Sequence, residues 1–166
     1  ALLTNLVLGL AGVSDFWTVM AVFAVAVLLG GPLLASLLRS PVALGTLLVA
    51  VLGAYLLVLG IDGPSAALSP FGPTQNSRYF GLSNLLETML LVPSLVGAAL
   101  LGRAGIAVAA LAFVTIGGNR FGADGGGLVV LGAAFLVLLL RLSGRRPTVR
   151  LAAAAAAGAV ALALLL

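Results

Sequence analysis

Residues 117–127 read GGNRFGADGGG: an asparagine, an arginine and an aspartate set among six glycines, between two long apolar runs. Upstream, Arg78 precedes a second polar group, Asn84, Glu87 and Thr88, whose i, i+3, i+4 spacing puts them on one helical face. These residue types suit a small repertoire of chemistry. Arg78 and Arg120 can pair with a phosphate or another anion. Glycine-rich backbone at the start of a helix offers N–H groups to the same anion. Glu87 and Asp124 can carry a proton or hold a divalent cation through oxygen. The candidate ligand-binding set is therefore Arg78, Asn84, Glu87, Asn119, Arg120, Gly122, Asp124, Gly126 and Gly127, with Glu87 and Asp124 as candidate metal ligands.

Plainer readings stand beside these. Asp124 can cap the helix that follows it, and Glu87 can pair with Arg78 or Arg120 simply to lock helices together. Residues 61–82 can be a solvated connector with interfacial aromatics at Phe71, Tyr79 and Phe80, or a cap that presents Arg78. The G-x-x-x-x-G-K-[ST] phosphate loop is absent, and TIGG does not match the TVGYG potassium filter. The chain has no histidine and no cysteine, which excludes disulfides, thiolate nucleophiles, a histidine base and zinc sites built on those residues. Binding or transport is thus favoured over catalysis by this chain alone.

A soluble domain devotes about a quarter of its residues to charge. Here charged residues are 7% and hydrophobic ones 63%, with a mean hydropathy of +1.32. Lipid must solvate the exterior. All eight basic residues are arginines scattered between apolar runs, so they read as orienting charges in a membrane and not as a nucleic-acid face.

Apolar runs near the length needed to cross a bilayer, about 20 residues, cover 16–38, 41–60 and 83–101, the last kinked near Pro93. The runs 104–116 and 127–142 are short for a full crossing, 1–13 is shorter still, and a further run starts after Arg150. None alternates at period two, so a membrane barrel is excluded. The expected fold is all-α: one polytopic transmembrane bundle over 1–166 with five to six spans, with 117–127 as a candidate re-entrant loop. The chain reads as a piece of a longer polytopic protein.

Placing the loop after the first full span inside puts Arg39, Arg103, Arg141, Arg145, Arg146 and Arg150 on the cytoplasmic side, against Arg78 and Arg120 outside. All four acids, Asp15, Asp62, Glu87 and Asp124, then fall at the outer ends of spans or in outer loops. Non-helical backbone at membrane depth survives only where protein buries it or water reaches it, so 117–127 is expected to dip into a protein-lined pocket open to the outside.

RYFGLSNLLE, followed by GNRFGADGGGLVVLGAAF, resembles a group of poorly characterised bacterial polytopic membrane proteins with an aromatic-x-Gly-x-x-Asn motif and a Gly-Ala-Asp-x-Gly-Gly loop. Some of them are named as alkaline-phosphatase-superfamily membrane proteins. The resemblance covers roughly 77–140 and falls on Tyr79 or Phe80, Gly81, Asn84, Gly122, Ala123, Asp124, Gly126 and Gly127. It implies that the chain is the membrane part of a longer bacterial protein, with a role in the cell envelope that handles phosphorylated or lipid-linked material outside the cytoplasmic membrane.

Three functions remain open: binding an anionic, phosphate-bearing envelope or lipid head group, with a divalent cation as an optional cofactor; transport or ion conduction using Glu87 and Asp124; and a non-catalytic scaffold. Expected partners are the bilayer and other helices of a longer chain or complex, with no nucleic acid.

Overall fold

The computed structural model describes residues 1–61, 84–118, 125–144 and 148–165. Among these, every regular element is helical and no strand occurs. The order is α1 (Leu2–Leu10), α2 (Phe16–Leu37), α3 (Pro41–Ile61), α4 (Asn84–Leu101), a 3-10 turn (Gly102–Ala104), α5 (Gly105–Gly117), α6 (Gly125–Leu142) and α7 (Val149–Leu165).

Four stretches among the described residues are long and apolar enough to cross a membrane: Phe16–Leu37, Pro41–Ile61, Leu86–Gly117 and Gly125–Leu142. This is a multi-pass helical membrane protein. The third stretch, 32 residues by length, is not one straight rod. Gly102 has φ +56, a left-handed conformation that ends α4, and the chain folds back on itself. A Cβ on Gly105 would lie 2.6 Å from the Ala98 carbonyl oxygen, and one on Gly97 would lie 3.6 Å from Val108 Cγ1. In a continuous helix residues 97 and 108 would be about 16 Å apart. So α4 and α5 form a hairpin, and α5, at 13 residues, reaches only about 20 Å.

The other glycines set the register. A Cβ on Gly45, near the start of α3, would lie 2.9 Å from Leu101 at the end of α4, so α3 and α4 run antiparallel. Gly117 at the end of α5 meets Leu128 near the start of α6, and the Phe113 and Phe135 rings pack, tilted, at 6.0 Å further along the same pair. One apolar cluster joins these helices, with Leu52, Leu90, Ala112, Ile116 and Leu131 fully buried.

Short α1 packs against this core and also against α2, where Leu8 meets Val19 and Phe23. The rest of α2 is exposed apolar surface, as a lipid-facing helix requires. Two buried hydroxyls inside the spans are satisfied locally: Ser94 Oγ donates to the Leu90 carbonyl at 2.6 Å and Thr115 Oγ1 to the Leu111 carbonyl at 2.8 Å. Ser94 follows Pro93, which lacks the N–H an interior helical residue supplies.

Candidate functional site

Antiparallel packing sorts the charges of the described residues to two ends. Arg39 lies between α2 and α3, Arg103 in the α4–α5 turn, Arg141 in the last turn of α6 and Arg150 in the first turns of α7. All four share the end where Gly45 meets Leu101. Glu87, in the first turn of α4, belongs to the other end, as do the end of α5 and the start of α6. Asp15 precedes α2 there too, with the length of α2 separating it from Arg39.

The decisive contact joins the two polar groups of the sequence. A Cβ added to Gly127 would fall on the Glu87 carboxylate and lie 2.8 Å from Ile116 Cγ2. The missing side chain is what lets a carboxylate from α4 reach the main chain of α6. Gly127 is buried and Glu87 half-buried, while Gly125 and Gly126 are exposed. These three glycines form the first turn of α6, so they are helix and not loop. The first N–H groups of a helix lack acceptors within it and carry the positive end of its dipole. A carboxylate is therefore electrostatically suited to the place Glu87 takes.

Measured along the helices, Glu87 stands about 21 Å from the Leu101 end of α4, and Gly127 about 21 Å from Arg141. Gly117 is at about 18 Å along α5 by the same rise per residue. Three elements thus bring Glu87, Gly117 and Gly127 to one level, which helical spacing alone did not reveal. Thr88, placed by spacing on the Glu87 face, is exposed.

The chain matches no family model, no curated protein and no solved structure. Of the residues marked out by sequence, Arg78, Asn119, Arg120, Gly122 and Asp124 lie outside the described residues, as do Asp62, Tyr79, Phe80, Gly81 and Ala123. Asn84 opens α4, but its side chain is outside them as well. Among the described residues no group of three metal-ligating side chains gathers.

Two polar features escaped the sequence reading. Asn5 Nδ2 donates to Tyr55 Oη at 3.1 Å, and Tyr55 Oη donates to the Leu2 carbonyl at 3.0 Å. Tyr55 has only one proton to give, so this chain fixes which end of the Asn5 amide faces the ring. Asn5 Oδ1 is left buried without a donor. A lone asparagine in a nine-residue apolar helix gives no signal of this pairing fifty positions away. The second is Asp15, the N-cap of α2, which accepts from the Thr18 N–H at 2.8 Å. Hydrogen bonds from the Thr18 side chain and then its main chain hold this exposed carboxyl below its usual range.

Proposed function

We propose that this protein binds an anionic, phosphate-bearing head group at the end of the bundle where Glu87 meets the start of α6. One observation carries the reading: the Glu87 carboxylate rests on Gly127, three residues beyond Asp124 and seven beyond Arg120. In a hydrocarbon core of about 30 Å, a level about 21 Å from the arginine end lies below the opposite interface. An ionisable group at such depth is expensive and characteristically functional.

The roles divide according to charge. Glu87 occupies the face of Gly127, so that glycine supplies close approach and does not face the ligand. The exposed Gly125 and Gly126 main chain, with Arg78 and Arg120, supplies the anion contacts. Glu87 and Asp124 carry a proton or a divalent cation that bridges to the phosphate. The resemblance carried by the Gly-Ala-Asp-x-Gly-Gly stretch supports an envelope role, and the arginine bias supports this end facing outward.

The test uses the purified protein in detergent, with short-chain phosphatidate as the probe and thermal unfolding as the readout. Phosphatidate should stabilise the parent, and Arg120→Gln should reduce that stabilisation. Equal protection of parent and Arg120→Gln overturns the reading.

The submerged carboxylate beside the short helix α5 also favours a second reading, transport of protons or cations through Glu87. Proton or cation flux into liposomes that is present in the parent and lost in Glu87→Gln would select it. Absence of flux in both removes it.

A further inference from the structure

The arginine end carries an inference that does not depend on the Glu87 site. Four arginines, Arg39, Arg103, Arg141 and Arg150, converge there from separate helix ends. All four are exposed. The two acids among the described residues, Asp15 and Glu87, both belong to the opposite end, so nothing described at this end neutralises the charge.

Local structure accounts for only part of the set. Arg39 Nε donates to the Ser36 carbonyl at 3.1 Å, and Arg141 lies in the last turn of α6, where a cation complements the helix dipole. Arg150 lies near the start of α7, whose first turn holds no acid. There its charge adds to the positive end of the helix dipole, and the Thr148 hydroxyl already accepts from the Leu151 N–H at 3.3 Å. Nothing described within the protein offsets a cation in that position, which leaves it open to an external anion.

Height identifies that anion. These arginines stand where the apolar helices end, at the level where a bilayer changes from hydrocarbon to phosphate. We infer that this end is a docking surface for anionic phospholipids, with the arginines held by head-group phosphates of one leaflet. Charge complementarity makes the lipid negative in net charge, since a zwitterionic head group brings its own cation.

The test compares phosphatidylglycerol with phosphatidylcholine as additives to the detergent-purified full chain, followed by thermal unfolding and by quantifying co-purified lipid. Phosphatidylglycerol should be enriched and stabilising at low salt, and the preference should shrink as ionic strength rises. Arg103→Gln and Arg150→Gln should each weaken it about two- to fivefold. Replacing all four arginines by glutamine should abolish it, and replacing all four by lysine should retain it. Because the fourfold glutamine variant can fail to insert, the two single variants decide on their own. Equal stabilisation by the two lipids in the parent, or an undiminished preference in both single variants, overturns the inference. So does loss of the preference in Arg120→Gln, which would put the lipid at the Glu87 end. Failure of phosphatidate binding there leaves this surface untouched.

Discussion

At the scale of single residues, the Glu87–Gly127 contact is the feature most exposed to test. Gly127→Ala puts a methyl group where the carboxylate and Ile116 already are, and overpacking of this kind costs about 1–3 kcal/mol. Adding Glu87→Ala to Gly127→Ala should restore part of the loss, because the two changes share one space. Thermal unfolding of the single and double variants measures that coupling, and strict additivity would separate the two residues. The Asn5–Tyr55 pair makes a sharper contrast. Tyr55→Phe strips the Asn5 amide of its acceptor and should cost about 1–2 kcal/mol. Asn5→Leu removes the donorless Oδ1 and leaves the tyrosine hydroxyl on the Leu2 carbonyl, so it should be near neutral or stabilising. Asp15 is a matter of pH. Its folded value lies below the ordinary 3.8, so its capping of α2 is complete above that value and is lost as pH falls through the lower folded one. A carboxyl-carbon NMR titration of Asp15 should show the depressed midpoint, and Thr18→Ala should move it back up.

At the scale of elements, Gly102 makes the α4–α5 hairpin possible. Nothing lies within 4 Å of a Cβ built there, yet its φ is +56. Gly102→Ala should therefore cost about 1–2 kcal/mol through the backbone alone. Gly30, inside α2, also has open space around it but no left-handed angle. Gly30→Ala should stabilise the helix by up to about 1 kcal/mol. Detergent unfolding of the two variants separates conformational strain from crowding. The hairpin also explains the lengths read from sequence. The run 104–116 appears as α5, Gly105–Gly117, and it is short because it stops at the level of Glu87. The start of the following helix was placed at 127 and is found at Gly125. Glycine favours loops by propensity, but the Gly127 contact with Glu87 and the burial of Leu128 tie this turn into the bundle.

At the scale of the whole molecule, arginines and acids fall at opposite ends among the described residues, and the excess of arginine on cytoplasmic loops predicts an orientation with the arginine end inside. The chain has no cysteine, so single introduced thiols report sidedness without background. Ser14→Cys, between α1 and α2, should react with an impermeant maleimide from outside intact cells. Ser143→Cys, in the turn after α6, should react only after permeabilisation. The reverse pattern would invert the whole assignment, including the outward face of the Glu87 site.

Composition and run length were enough to determine a polytopic helical membrane protein, because lipid leaves few alternatives for backbone hydrogen bonding. They also picked out 104–116 as short and marked Glu87 and the glycine stretch as out of place in hydrocarbon, but they underrated the following helix, which at 18 residues is long enough to cross. They did not reveal that Glu87 meets Gly127, that α4 and α5 fold into a hairpin, or that Asn5 reaches Tyr55. Each of these depends on which helix faces which. In a chain whose helices are apolar all round, no amphipathic stripe records the neighbour. Only close approach at particular glycines, and pairing of scarce polar atoms, made that choice.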